Sequence, residues 1–581
     1  MLRPRSPETD GMPSRVQAVA FTCKASLFRL RRALAGESLP KLGFAPVDHA
    51  LCFAGESISL LQPSQVPAEF ALQAGKVQNL RIAAGHLHGL KIPAGAVFGF
   101  WRQIPRPTKR RGFAPGRELR EGCIVPSVGG GLCQLSNALY DVALQAGCEI
   151  LERHAHTRRL PGSQAAVDRD ATVFWNYVDL RFRAPTELQL SVQLTAAELI
   201  VRLLGKAQPR SSGTFSAEPQ SIDLRASAES CETCGITDCF RHSDESLALQ
   251  QSRTAWLVDA CWPEFNAYLA EHRAPRDVLL LPFDSARWHI GPYRWESRGF
   301  ARVHECWREV ARRSFVSRRL QTQGAARQRA LLRLDASLAR QLARRIPPEA
   351  THLVVSQNLL PFLWREGILG GRTFDVLMTR APLEELQATL DRAAALHPES
   401  RTLADFRADP ELIADETAAL AAAMRWITPH TAIAASAGCR AHFLRWREPT
   451  RGERSAGQRL VFPAATLARK GACELRAALR LIDEPPPLRI CGRNLEAPDF
   501  WSGMKTETPG EDPLADAAAV VLPAWVEHQP RRLLDALARG IPVIATPACG
   551  LTRWTGVTEV PAGDIPALAE ALQRVLGSRA C

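Results

Sequence analysis

Residues 129–136 read Gly-Gly-Gly-Leu-Cys-Gln-Leu-Ser, followed by Asn137-Ala138-Leu139-Tyr140 and an apolar run with helical spacing. Glycines tolerate positive φ and close backbone approach, so this turn can deliver Cys133 to the first turn of a helix. Free N–H donors and the positive dipole end gather there. Such a position lowers a thiol pKa and stabilises an oxyanion nearby. About twenty residues on come Glu152-Arg153-His154-Ala155-His156 and then Asp168-Arg169-Asp170. The combination suits a thiol nucleophile, with Cys133 as thiolate, His156 as base and Asp170 as its orienting carboxylate. His154 is the alternative base, and Asp168 and Asp179 are alternative orienters. Gln134 and the glycine backbone are candidate oxyanion donors. A plain packing role for Cys133 beneath the turn is the competing reading.

Three further groups have the chemistry to bind something. Cys231, Cys234, Cys239 and His242 are spaced C-x2-C-x4-C-x2-H, which suits Zn²⁺ or an iron–sulfur cluster at a domain junction. Cys261 is an alternative fourth ligand. The spacing also occurs in zinc knuckles, although the glycine and aromatic pattern of those is only partly present. Arg469 and Lys470 follow the strand-like Leu460-Val461-Phe462, and two adjacent cations there suit a diphosphate. A helix beginning near Pro530 would add dipole and N–H donors, and the carboxylate of Glu527 suits sugar or ribose hydroxyls.

Two resemblances run through these motifs. Gly75-Lys76-Val77-Gln78-Asn79-Leu80, Phe98-Gly99-Phe100-Trp101, Gly116-Arg117-Glu118-Leu119, Gly129 to Tyr140, Glu152 to His156, Asp170 to Val173 and Asp179-Leu180-Arg181-Phe182 resemble the VanW family over about residues 17–205. That family takes its name from vancomycin-resistance gene clusters, so the resemblance implies a link to peptidoglycan and cell-wall chemistry without fixing an activity. The stretch from Leu460 through Arg469-Lys470-Gly471 to Glu527-His528-Gln529-Pro530 and Gly540-Ile541-Pro542 resembles the C-terminal domain of retaining GT-B glycosyltransferases. There an Arg and a Lys hold the nucleotide diphosphate and two acidic residues stand eight positions apart, which would be Glu527 and Asp535 here. The second acid is Asp in place of the usual Glu. His528-Gln529-Pro530 replaces the Gly-Phe-Gly that often follows the first acid. Over 252–430 the likeness lies only in strand–helix rhythm and in Thr428-Pro429-His430.

The elements that must position these residues follow from patterning. At 581 residues the chain needs several domains, since single cores rarely exceed about 250–300 residues. Residues 1–16 read as a disordered leader. Residues 17–205 read as an α+β domain, with a helix from the glycine turn to about Ala146 and strands at 171–175, 178–182, 188–194 and 199–203. Residues 206–251 form a linker holding the cysteine cluster. From 252 to 455, and again from 456 to 581, apolar strand-like runs alternate with helices, as in doubly wound parallel sheets. The fold class expected is therefore multidomain: a VanW-like α+β domain, a Cys-rich junction and a C-terminal α/β GT-B module of two Rossmann-like units.

The net charge of +13 is carried mostly by arginine and suits phosphates, nucleotide-sugars or an anionic membrane surface. Aromatics are not interleaved with the basic runs, which argues against nucleic acid. The arginine run near 311–319 reads as a solvated helix face. No apolar run approaches the ~18–20 residues of a membrane span. No signal-peptide core follows Met1–Asp10, so the expectation is cytoplasmic, with peripheral contact at the inner membrane left open. The function expected is transfer of a sugar from a nucleotide-sugar to a glycan or lipid-linked envelope acceptor, the VanW-like part handling the acceptor. The alternatives are acyl transfer or hydrolysis at Cys133, and a non-catalytic accessory role in envelope assembly or vancomycin resistance.

Overall fold

Alternation of apolar and polar residues in Glu198–Gly205 puts every second side chain in the core, while Val278–Leu281 and Ala517–Leu522 are buried throughout. The first pattern suits a sheet with one wet face, and the second a parallel sheet covered on both. The computed structural model contains both kinds. It describes residues 41–577 except 49, 63–68, 121–122, 157–166, 176, 207–251, 285–291, 321–324, 404–406, 451 and 453–456, together with isolated residues before 41. The chain divides into two compact units, one made chiefly of residues up to Arg253 and one chiefly of residues from Thr254 onward. No helix among the described residues is long and apolar enough to cross a membrane.

In the first unit, β1 (Cys52–Leu60), β2 (Leu90–Ile92), β8 (Leu188–Leu194) and β9 (Glu198–Gly205) form an antiparallel sheet in the order β1-β9-β8-β2. A smaller sheet joins β3 (Val97–Gly99), β7 (Arg181–Arg183) and β6 (Glu149–Glu152), and β4 (Pro115–Arg120) pairs with β5 (Cys123–Val128) as a hairpin. Two helices, α1 (Phe70–Gly85) and α2 (Cys133–Gln145), complete the core. The expected helix is thus present, and Gly147 just beyond it has φ +69°, as a helix stop requires.

The stretch 171–175, expected as a strand, has no ladder. Only an isolated bridge joins Phe174 to Val178. Its backbone groups are satisfied elsewhere: Ser136 Oγ donates to the Ala171 carbonyl, Ala171 N–H to Asn137 Oδ1, and Thr172 N–H to the His154 carbonyl. Helix α2 therefore holds this segment in an irregular path, which propensity does not report.

The second unit holds two parallel sheets. The first contains β10 (Arg253–Leu257), β11 (Val278–Leu281), β12 (Arg302–Glu305), β13 (Ala350–Ser356), β14 (Thr373–Leu377), β15 (Arg425–Thr428) and β16 (Ala441–Phe443), in the order β12-β11-β10-β13-β14-β15-β16. The second contains β17 (Arg459–Phe462), β18 (Leu488–Ile490), β19 (Thr506–Glu507), β20 (Ala517–Leu522), β21 (Val543–Ala545) and β22 (Val557–Glu559), in the order β19-β18-β17-β20-β21-β22. Both orders start 3-2-1-4-5-6, the doubly wound arrangement whose ligand crevice lies at the carboxyl ends of the two central strands. The C-terminal half is thus two Rossmann-like units, a GT-B-like α/β architecture. Helices α3 (Pro263–His272), α4 (Trp307–Arg319), α5 (Thr431–Ala437), α6 (Ala472–Leu479) and α7 (Arg531–Ala538) are the ones that bear on function.

Candidate functional site

In the first unit the glycine turn is built by close packing. Gly129 and Gly131 have φ of +89° and +93°, and a Cβ on Gly130 would lie 2.5 Å from Gly116 backbone atoms. Fully buried Asn79 on α1 fixes the turn. Its Nδ2 donates to the carbonyls of Ala114 (3.0 Å) and Gly130 (2.9 Å), and its Oδ1 accepts from Ala114 N–H (2.8 Å). The stem of Lys76 packs beside Gly131. Burial and the neighbouring Arg117 push the Lys76 ammonium down to about 7, against the pull of Glu69.

From this turn α2 starts at Cys133, which is part-exposed. Its sulfur lies 3.4 Å from Thr172 Oγ1 and 3.8 Å from the Val173 carbonyl, and the His156 side chain hydrogen-bonds it. Buried Asp170 grips His156 twice: Oδ2 accepts the His156 backbone N–H at 2.7 Å, and Oδ1 meets ring Nδ1 at 2.7 Å. With Nδ1 committed, Nε2 is the ring nitrogen left for sulfur. Burial pushes the thiol up, but the hydrogen bond and charge of His156, followed by Thr172, outweigh it and leave the Cys133 pKa below that of an ordinary thiol. His156 is held up at about 10, first by Asp170 and then by Cys133, against burial. The two shifts both favour a thiolate paired with an imidazolium.

The structure brings Cys133, His156 and Asp170 together and places the other sequence candidates elsewhere. His154 is half exposed and turned to Glu152 at 3.4 Å. Asp168 is exposed beside Arg169. Asp179 is buried, accepting from Trp101 N–H and Arg181 Nε, which makes it a brace for the smaller sheet. Gln134 departs from expectation. Its amide donates to Ser59 Oγ and the Leu60 carbonyl, each at 2.8 Å, so it ties α2 to β1 and is not free to serve an oxyanion.

In the second unit the diphosphate candidates flank the switch point between β17 and β20. Arg469 and Lys470 follow β17, and Glu527 follows β20. Gly471 has φ +80°, and a Cβ there would fall 2.0 Å from the Pro523 carbonyl oxygen, so only glycine lets the two loops meet. The Arg469 carbonyl accepts from Trp525 and Val526 N–H groups. Lys470 Nζ donates to the Val526 carbonyl (2.9 Å) and to Glu527 Oε2 (3.0 Å). Asp535, one turn into α7, forms no hydrogen bond or ion pair among the described residues.

Two histidines also sit here, His430 of the Thr428-Pro429-His430 motif and His528, which the sequence offers either as a cleft residue or as a loop cap. His430 caps α5 and is buried, its Nε2 facing the carbonyls of Glu527 (3.0 Å) and Ala548 (3.1 Å). His528 is pushed well below its usual range, first by burial and then by His430, Lys470, Arg380 and Arg469. The cations around it are Arg469, Lys470, which is held by Glu527, and Arg380, which is held by Glu416. The two Rossmann-like units are also clamped: Arg531 on α7 makes a bidentate pair with fully buried Glu264 on α3, at 2.8 and 2.5 Å, and stacks over Trp446.

Cys231, Cys234, Cys239 and His242 lie outside the described residues. Cys261 is described: its thiol donates to the Arg294 carbonyl at 3.3 Å, and burial pushes it up to about 12.

Comparison with known proteins matches one segment in each unit. Residues 75–204 match the family model VanW like protein, and residues 459–578 match Glycosyl transferases group 1. The vancomycin B-type resistance protein VanW of Enterococcus faecalis is 33% identical over 143 residues, covering 24% of this chain and 52% of the relative. The uncharacterized protein YoaR of Bacillus subtilis is 30% identical over 105 residues, 18% of this chain and 34% of the relative. The chain thus spans about half, or less, of the curated relatives it matches. Among solved structures, sucrose-phosphate synthase from Thermosynechococcus elongatus aligns with 57% of this chain and 91% of its own, at 15% identity and TM-score 0.39. Anabaena HepE in complex with UDP and glucose covers the same shares at 14% identity and TM-score 0.34. The chain carries a VanW-like domain at residues 75–204 and a glycosyl transferases group 1 domain at residues 459–578.

Proposed function

We propose that the protein transfers a glycosyl group from a nucleotide-sugar to a hydroxyl of a cell-envelope glycan or lipid-linked precursor. The observation that carries this reading is the convergence of Arg469, Lys470 and His528 beside Glu527 at the β17/β20 switch point. Arg469 and Lys470 take the diphosphate. Its arrival draws the Lys470 ammonium from Glu527, whose carboxylate then accepts hydrogen bonds from donor hydroxyls. Asp535, with no partner to give up, takes the remaining hydroxyls of sugar or ribose. Neutral His528 offers a hydrogen bond to the sugar without adding to the positive charge. The bond from the anomeric carbon to the diphosphate breaks, the bond to the acceptor oxygen forms with retained configuration, and the acceptor proton passes to the departing diphosphate. The charge developing on the departing diphosphate falls on groups already in place.

The VanW-like domain handles the acceptor, a role suggested by the resistance protein it resembles. Helix α4 supports work at a membrane surface. Trp307 and Phe315 are exposed on it along with Arg308, Arg312, Arg318 and Arg319, the composition of a helix lying on anionic lipid. The test is thermal stabilisation of the full chain by UDP-, GDP-, ADP- and TDP-sugars, followed by a transfer assay with the donor that binds. Stabilisation lost in Arg469→Ala/Lys470→Ala is the expected result. No shift with any donor, or an equal shift in the double variant, would refute the donor site.

A further inference from the structure

We propose that Cys133, His156 and Asp170 form a second catalytic site, a thiol acyl-transfer centre that takes the acyl group of an amide or ester as a thioester and passes it to an amine or to water. Sugar transfer leaves this constellation without a task. Three observations lead to the reading, and none depends on the glycosyltransferase half.

The first is the order of the contacts. Asp170 holds ring Nδ1 of His156 at 2.7 Å, and the same ring reaches the Cys133 sulfur. With Nδ1 committed to Asp170, the imidazole has Nε2 left to serve the thiol. This is a relay and not a chelate, because three ligands to one ion would have to converge on a point. The arrangement matches the requirement for an activated nucleophile, a base within reach and a third group orienting the base. The second bond from Asp170, to the His156 backbone N–H, fixes the ring's attachment as well as its tautomer.

The second is the position of the sulfur. It sits at the start of a 13-residue helix, where the first N–H groups have no intrahelical acceptor. The first turn closes with Gln134 N–H on the Gly131 carbonyl and Ser136 N–H on the Leu132 carbonyl. The Cys133 N–H precedes both and lies at the positive end of the helix dipole, where a donor can meet a developing oxyanion. With the Gln134 amide committed to β1, this backbone donor is the oxyanion group the site offers.

The third is the contrast with the other thiols. Cys148, Cys261, Cys473 and Cys549 are all pushed up to about 12 by burial, so they remain protonated and inert. Cys133 shifts the other way while remaining part-exposed. Cys148 lies beyond the far end of α2, about 20 Å of helix away, too far to form a disulfide with Cys133.

The chemistry balances without an oxidant or an added cofactor. The Cys133 thiolate attacks the carbonyl carbon and the C–N or C–O bond breaks. His156 Nε2 gives its proton to the leaving amine or alcohol. A thioester and a neutral imidazole remain. An amine or water then attacks the thioester and yields its proton to Nε2. The C–S bond breaks, restoring thiolate and imidazolium.

The experiment uses the full chain and two probes. Iodoacetamide alkylation is followed by peptide mass spectrometry from pH 5 to 9, with the exposed Cys52 and Cys439 as internal reference thiols. At pH 6 the Cys133 peptide is expected to react at least about tenfold faster than either reference, as a stabilised thiolate does. His156→Gln is expected to abolish the advantage. Separately, p-nitrophenyl acetate is expected to give a p-nitrophenol burst of one equivalent per chain. The acetyl adduct should map to Cys133 and be discharged faster when an amine is added. Cys133→Ser is expected to lose the burst, with hydrogen exchange of α2 matching the parent to show that the fold is kept. Alkylation of Cys133 that follows the reference thiols across the pH range overturns the proposal. So does a p-nitrophenol burst that maps to another residue. Either failure leaves the nucleotide-sugar result untouched.

Discussion

Asn79→Ala tests whether α1 holds the glycine turn that presents Cys133. The Asn79 side chain is fully buried and makes three hydrogen bonds of 2.8–3.0 Å, to Ala114 N–H, Ala114 O and Gly130 O. Truncation strands the Ala114 donor and the Gly130 acceptor away from water. The Ala114 carbonyl keeps a second partner in Gly129 N–H and loses less. A stranded buried group costs about 1–3 kcal/mol, so two predict about 2–6 kcal/mol, with about 3 kcal/mol a conservative value. The opening is local, so the readout should be local too: hydrogen exchange by mass spectrometry on peptides spanning the turn. About 3 kcal/mol corresponds to exchange more than about a hundredfold faster. Iodoacetamide reactivity of Cys133 at pH 6 should fall at the same time, because a loosened turn no longer aims the thiol at His156. Asn79→Asp should be no milder, since it turns a carboxylate oxygen toward two carbonyls. Exchange accelerated by less than about tenfold in the Ala variant, with Cys133 reactivity unchanged, would show that the turn stands without α1.

Three other outcomes are expected. Glu264→Ala leaves Arg531 as an unpaired cation between the Rossmann-like units; breaking such a pair costs about 3–5 kcal/mol, read as a lower midpoint in thermal unfolding, and an unchanged midpoint refutes the clamp. Above about pH 9 the Cys133 thiol is ionised in both folded and unfolded chains, whereas His156 keeps its proton only in the folded chain, up to about 10. Folding then binds a proton, so stability falls between pH 9 and 10 by about 1 kcal/mol relative to Cys133→Ala/His156→Gln; parallel curves for the two proteins count against the relay. Trp307→Ala/Phe315→Ala should reduce cosedimentation with phosphatidylglycerol vesicles, and equal pelleting of parent and variant removes the membrane role of α4.

Where the chemistry starts is legible in the residues alone. Gly129-Gly130-Gly131 before Cys133 and Gly471 after Lys470 are local instructions, because only glycine fits those backbone angles and approaches, and such constraints are legible residue by residue. Apolar runs such as Val278–Leu281 and Ala517–Leu522 likewise announced buried parallel strands, since no other element of that length is apolar on both faces. Tertiary structure decided whatever depended on partners far along the chain. His154 and His156 are two residues apart, and no local signal separates them. The choice falls to Asp170, which captures the ring and the backbone of one alone. Gln134, read as an oxyanion donor from its place beside Cys133, is drawn off by Ser59 and Leu60, 75 and 74 positions away. The strand expected at 171–175 lost its ladder to Ser136, Asn137 and His154. His430 and His528 acquire meaning only when β15 and β20 bring their following loops together. Hydrogen bonds between distant segments are cheap to form once the core has closed and carry no sequence spacing of their own, so folding had to assemble this site before its members could be told from their neighbours.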